Sequence, residues 1–321
     1  MSTSWQVVEE KYYMHCVNRQ PVVIVKGQGT KIWDDTGKEY LDFTSGWAVN
    51  NIGHANPAIA EAISKQAHTL LQTSNQFYTV PQLQLAQILV ENSCLDKVFF
   101  CNSGAEANEG AIKLARKFGA TKRDGAYEVI TAINSFHGRT LATWSATGKN
   151  HEGDPFNPLP TGFIHVEYNN IEAIKTATTE KTAAVMLEPV QGEGGVNIPS
   201  IQYLQDVRKW CDENNILLIF DEVQTGLGRL GTLFGYEISG VEPDVMTLAK
   251  GLGGGVPIGA FLANIRASVF EPKGEHGSTF GGNALTCAAA NASVRYIIEN
   301  DIAEHAKEMG EHIRSGLDAL N

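Results

Sequence analysis

Ile216-Leu217-Leu218-Ile219-Phe220-Asp221 is the stretch from which the fold can be read. Its apolar run has no polar alternation, the pattern of a strand covered on both faces in a parallel sheet, and it ends on a carboxylate. Asp244-Val245-Met246-Thr247-Leu248-Ala249 repeats the pattern and ends on Lys250, followed by Gly251-Leu252-Gly253-Gly254-Gly255. In open parallel sheets ligands sit just beyond the carboxyl ends of the strands. Residues 216–263 therefore deliver two opposite charges to the edge where chemistry is expected.

A buried carboxylate and a buried amine have two uses: they pair with each other, or both address one ligand. Burial disfavours the charged ammonium, lowers its pKa and makes a lysine a nucleophile able to form a Schiff base with an aldehyde. Pyridoxal phosphate is such an aldehyde, and it also needs a carboxylate that keeps its ring nitrogen protonated. Taken alone, Lys250 reads as a strand-end lysine facing solvent, so other parts of the chain must decide.

A phosphate requires a cradle. Val98-Phe99-Phe100-Cys101-Asn102 reads as a strand, and Ser103-Gly104-Ala105-Glu106 opens a helix carrying Ala107, Ala111, Ile112, Leu114 and Ala115. Ser103 and Glu106 have the spacing of a capping box, Gly104 lets the main chain approach closely, and unpaired amides with the helix dipole favour a phosphate there. By itself this is only a well-capped helix.

Ser103-Gly104-Ala105-Glu106-Ala107-Asn108-Glu109, Phe136-His137-Gly138-Arg139-Thr140, Glu188-Pro189-Val190-Gln191-Gly192-Glu193-Gly194-Gly195, Asp221-Glu222-Val223-Gln224-Thr225-Gly226 and Lys250-Gly251 occur in the order found in class III pyridoxal-phosphate-dependent aminotransferases. From about Val22 onward the chain resembles that family, and within it most of all the acetylornithine branch. The resemblance implies the fold-type-I α/β architecture of pyridoxal-phosphate-dependent transferases. That is a mostly parallel seven-stranded sheet with helices on both faces, plus a small domain made from both ends of the chain.

The resemblance also implies roles. Lys250 would carry the cofactor and serve as the general base, and Asp221 would pair with the ring nitrogen. Gln224 would bond the ring hydroxyl, with Glu222 and Val223 in the same cofactor-binding turn. Ser103, Gly104, Ala105 and Thr279 resemble the phosphate binders, Thr279 reaching across from a partner subunit, and Phe136 would cover the ring face. Arg139 would grip a substrate carboxylate, a task suited to a planar bidentate cation. Ser278 and Glu193 match substrate-binding positions, Glu193 as the partner of a C-terminal arginine that would lie beyond Asn321. His137 and His54 are left outside the catalytic set, because a lone histidine is more often packed or solvated than catalytic. Trp47 is equally a residue of the substrate mouth or of the core.

The activity implied is transfer of the terminal amino group of N2-acetylornithine to 2-oxoglutarate, a step of arginine biosynthesis. Ornithine, succinylornithine and 4-aminobutyrate are alternative donors, since the motifs specify the cofactor better than the donor. A cofactor-binding dimer without turnover is the alternative from another class, and the complete Lys250, Asp221 and Arg139 set argues against it.

The 321 residues allow about two domains. A net charge of -11 and a pI near 5.3 argue against nucleic acid as a partner. Five cysteines with neither metal-type spacing nor an even disulfide framework point to a reducing compartment and no metal site, and Cys101 is read as a small buried residue. No apolar run suggests a membrane span, and the first residues lack a signal core, so a cytoplasmic protein is expected.

Val22-Val23-Ile24-Val25, Lys31-Ile32-Trp33 and residues 39–43 read as a small antiparallel unit, with Asp34-Asp35-Thr36-Gly37 as a turn. Asn56-Pro57 caps a helix, and Pro81 opens another carrying Leu85, Ile88 and Leu89. Strands follow at 98–101, 127–132, 163–167, 182–188, 216–221, 244–249 and 258–263, alternating with helices that include 104–118, 171–176 and 201–213. Residues 1–55 are assigned to the small domain, 56–283 to the large one, and 284–321 to a connecting helix and the start of a C-terminal part expected to be incomplete. In that last segment Ile302, Ala306, Met309, Ile313 and Leu317 form an apolar helical face that needs a partner.

Overall fold

The structure, a computed structural model, describes residues 4–320. Strands β1 (Ile24–Gln28), β2 (Lys31–Asp34) and β3 (Glu39–Leu41) form the expected antiparallel meander. Its second turn is tied by Asp34, whose Oδ1 accepts from the Thr36 and Lys38 amides, both at 2.9 Å.

The main sheet follows as β4 (Lys97–Cys101), β5 (Glu128–Ala132), β6 (Phe163–Val166), β7 (Thr182–Leu187), β8 (Leu217–Asp221), β9 (Val245–Leu248) and β10 (Gly259–Ala263). Every strand expected for this sheet is present within one residue at each end. The order is β4-β10-β9-β8-β7-β5-β6, parallel from β9 to β6, with β10 antiparallel to both its neighbours. Two antiparallel pairings in succession turn β4 back to the common direction. The carboxyl ends of β4 through β9 and the amino end of β10 therefore share one edge.

Burial at every position of β7, β8, β9 and β10 explains why their sequences are apolar without alternation. Leu218 and Phe220 join Val185, Leu187, Met246 and Leu248 in one core; Leu217 and Ile219 join Ala184, Met186 and Val245 in another. The second core includes Ala111, Leu114, Ala115 and Phe118 of the helix Gly104–Lys122, and the first takes residues from Val80–Glu91, Ile201–Glu213 and Ala284–Glu299. Each leucine, isoleucine or phenylalanine so buried contributes roughly 1.5–3 kcal/mol.

Asn56 caps the helix Pro57–Ala67 as expected, its Oδ1 accepting from the Ala58 amide at 3.0 Å. The helix Ala284–Glu299 puts Cys287, Ala290, Val294 and Ile297 into the core of the main sheet. On the final helix, Ile302–Asp318, Ile302 packs against that core, while Met309, Ile313 and Leu317 are exposed. Among the described residues, no helix is long and apolar enough to cross a membrane.

Candidate active site

A cavity of about 460 Å³ opens at the shared strand edge. Its wall draws on the turn after β4, the loop after β5, the residues following β7, β8 and β9, and the loop entering β10.

Asp221 is the last residue of β8 and is almost fully buried. Alternation places it on the face of Leu217 and Ile219, beneath the helix Gly104–Lys122. Four donors converge on it: Asn108 Nδ2 at 2.7 Å and His137 Nδ1 at 2.8 Å on Oδ2, the Val223 amide at 3.0 Å and Thr247 Oγ1 at 3.4 Å on Oδ1. The basic side chain bonded to this carboxylate is the His137 imidazole. Of the two uses open to a strand-end acid and lysine, direct pairing with Lys250 is thus not the one found.

Alternation along β9 would send Lys250 to the face of Met246 and Leu248, away from Asn108. Its backbone breaks the alternation with φ of 42°, a left-handed conformation that costs a side-chain-bearing residue roughly 1–2 kcal/mol. Lys250 lines the cavity beside Ala249 in consequence. Burial lowers the pKa of its amine, opposed first by Asp221 and then by Glu188 and Glu193.

The cradle differs in one detail from a reciprocal capping box. Ser103 Oγ accepts from the Glu106 amide at 3.2 Å, but the Glu106 carboxylate reaches one residue further back, to the Asn102 amide at 2.7 Å. Among the described residues the Gly104 and Ala105 amides bond no acceptor, and both residues line the cavity. A Cβ on Gly104 would lie 2.8 Å from Val223 Cγ1, so glycine lets this turn close on the segment after β8.

Phe136, Arg139, Glu193, Val223 and Gln224 complete the expected part of the wall. The Arg139 guanidinium sits 5.4 Å from the Phe136 ring and 5.7 Å from the Trp144 ring. Gln224 is backed by Gly192, where a Cβ would overlap its Oε1.

Other expected residues lie elsewhere. Glu222 faces the opposite side of the sheet, where its carboxylate accepts from the Gly235 amide and, at 2.8 Å, from the Tyr236 amide. That corrects its assignment as a cofactor ligand: with Asp221 turned into the cavity, the next side chain leaves the other way. Ser278 and Thr279 are outside the wall; Ser278 Oγ accepts from Asn102 Nδ2 at 3.0 Å, and Thr279 is exposed. Trp47 is also exposed and outside the wall, where Val49 stands instead. His54 bonds Asp42 at 2.6 Å in the meander region. Cys101 is buried, its thiol pushed up to about 12 mainly by burial.

His137, Asn108 and Glu188 belong to the site although the sequence reading left them out. Asn108 lies one helical turn beyond Gly104 on the same side, and Glu188 follows the apolar run of β7 as Asp221 follows that of β8; both signals were legible. The donor set fits pyridoxal phosphate. Free helix-terminal amides suit its phosphate, a fixed carboxylate its ring nitrogen and a lysine made less basic by burial its aldehyde. Two buried wall atoms without a partner among the described residues, Asn108 Oδ1 and His137 Nε2, stand ready for a polar ligand or water.

A family model described as aminotransferase class-III matches residues 12–321. The chain belongs to the class-III aminotransferase family. It is 53% identical over 319 residues to an acetylornithine aminotransferase of Methanocaldococcus jannaschii, a match covering 99% of this chain and 80% of that relative. Among solved structures, an acetylornithine aminotransferase from Elizabethkingia anophelis superposes with a TM-score of 0.86 at 36% identity, over 98% of this chain and 78% of the other. An ornithine aminotransferase from Toxoplasma gondii, described with partial occupancy of PLP at its active site, gives 0.93 at 35% identity, over 98% and 75%. The chain is thus an aminotransferase of fold type I.

Proposed function

We propose that this aminotransferase uses pyridoxal phosphate to move the terminal amino group of N2-acetylornithine to 2-oxoglutarate, giving N-acetylglutamate semialdehyde and glutamate. The observation that carries the proposal is Lys250, brought into the cavity by a left-handed backbone and without a hydrogen-bond partner among the described residues, beside a carboxylate that His137 already holds. The name and 53% identity of the Methanocaldococcus relative support the donor. The Toxoplasma likeness favours ornithine as the second candidate.

Bound pyridoxal phosphate supplies an aldehyde carbon that condenses with amines and a protonated ring that draws electrons from it. Gly104 and Ala105 would hold its phosphate, Phe136 its ring face, Gln224 its ring hydroxyl and Asp221 its ring nitrogen. Donors already fix the Asp221 oxygens, so the carboxylate needs no reorganisation during turnover. Lys250, its basicity reduced by burial, takes a proton from the substrate carbon next to the nitrogen and returns one later. Arg139 offers two parallel N–H groups to the α-carboxylate. Glu193, at the same mouth, selects between the two substrates by its charge.

Thr279 is assigned to the neighbouring site of a homodimer. Its loop is tied to another by Asn75 Nδ2, which donates to Ser278 O at 3.1 Å and Gly281 O at 3.0 Å. Phe77, Tyr78 and Phe280 stand exposed on these two loops, the aromatic composition of an interface centre. Residues 56–283 are assigned to the large domain, 1–55 to the N-terminal part of the small one, and 284–321 to a connecting helix and the start of the small domain's C-terminal part. Five unpaired cysteines fit work in the cytoplasm.

Purified protein supplied with pyridoxal phosphate, 2-oxoglutarate and a panel of donors tests the proposal by glutamate release. Acetylornithine should give the highest kcat/KM. A better rate with ornithine, succinylornithine or 4-aminobutyrate reassigns the donor, and no glutamate from any of them overturns the proposal.

A further inference from the structure

Glu188 is the first residue beyond β7, on the sheet face that Asp221 occupies in β8, and it lines the cavity while only 5% exposed. Its oxygens serve two separate loops: the Phe136 amide donates to Oε1 at 3.0 Å and the Gly192 amide to Oε2 at 3.4 Å. Tyr168 anchors the main chain at this point, its hydroxyl donating to Glu188 O at 2.7 Å. One loop carries Arg139 and the other Glu193, the two charges at the cavity mouth.

We propose that Glu188 is a positioning residue whose two carboxylate oxygens lock the Phe136–Arg139 loop to the Gly192–Glu193 loop. It thereby sets the separation of the cation and anion that select the substrate. The charges facing it are His137 from the loop after β5, Asp221 from β8 and Lys250 from the segment after β9. A carboxylate satisfies both loop amides, whereas a protonated carboxyl turns an O–H toward one of them. Burial pushes Glu188 up to about 7, with His137 opposing and Asp221 adding to the rise. The lock is closed above that pH and loosened below it.

Hydrogen exchange read by mass spectrometry, corrected for intrinsic rates, on the cofactor-loaded protein at pH 6 and pH 8 tests this directly. In the wild type, peptides covering 133–140 and 190–197 should gain roughly tenfold protection at pH 8, with no gain over 217–221. In Glu188→Gln both peptides should exchange fast at both values. That variant should raise KM for the amino donor roughly tenfold while kcat changes less than about threefold.

A pH-dependent gain that survives in Glu188→Gln places the titration in a group other than Glu188 and overturns the proposal. So does a fall in kcat at constant KM. If the variant loosens the whole sheet, the wild-type contrast between the loops and 217–221 decides alone, and its absence is contradiction enough. The kinetic half rests on the aminotransferase assignment and the exchange half does not, so locked loops without any transamination would refute that assignment and leave the lock standing.

Discussion

His137 Nδ1 donates to Asp221 Oδ2 across 2.8 Å, between two side chains almost wholly removed from solvent. The histidine is itself held at its main chain, its amide donating to Thr147 Oγ1 at 3.0 Å and its carbonyl accepting from Asn108 Nδ2 at 2.7 Å. Asn108 also reaches Asp221, so one amide group fixes both members of the pair. A carboxylate held this way keeps one orientation toward whatever enters the cavity.

Replacing Asp221 by Asn sets an amide against the donors that now converge there. Turnover should fall by about a hundredfold or more, since a ring no longer kept protonated is a poor electron sink. His137→Phe removes one donor and keeps a planar aromatic ring, so kcat should fall roughly tenfold with little change in KM. Steady-state kinetics on both variants separates the effects, and equal losses would mean that His137 does more than orient.

For Arg139→Lys, a point charge replaces a planar fork and the stacking on Phe136 and Trp144 is lost. KM for both the amino donor and 2-oxoglutarate should rise by about tenfold or more, the scale of a charged hydrogen bond. Unchanged values for both would place the carboxylate elsewhere.

The strands were legible because burial on both faces writes an unmistakable apolar run, and Asp221 and Lys250 were legible because each ends such a run. Strand order was not, since nothing in the run of β10 says that it enters antiparallel between β4 and β9. Asp221 and His137 are 84 positions apart, and no local spacing reports their contact. Glu222 belongs to the same motif as Asp221, yet period-two alternation turns its side chain to the other face of the sheet. Lys250 shows the converse: alternation alone would have turned it away, and only its left-handed backbone brings it in.

Glu222 makes stability depend on pH. Burial raises its carboxyl from the usual 4.5 to about 7, although the amides of Gly235 and Tyr236 pull it down. The folded protein keeps a proton there that the unfolded chain releases, so this contribution is complete below the unfolded value and lost as pH rises through 7. Measured relative to Glu222→Gln, wild-type stability should fall by about 2 kcal/mol between pH 5 and pH 8. Parallel denaturation curves for the two proteins across that range would show that the carboxyl titrates normally.

The most direct test is borohydride reduction of the protein loaded with pyridoxal phosphate, followed by peptide mapping. The reduced cofactor should appear on the peptide containing Lys250 and on no other, and Lys250→Ala should lose both the label and the visible absorbance. A label on a different lysine, or a Lys250→Ala protein that still binds reducible cofactor, would contradict the assignment of this cavity.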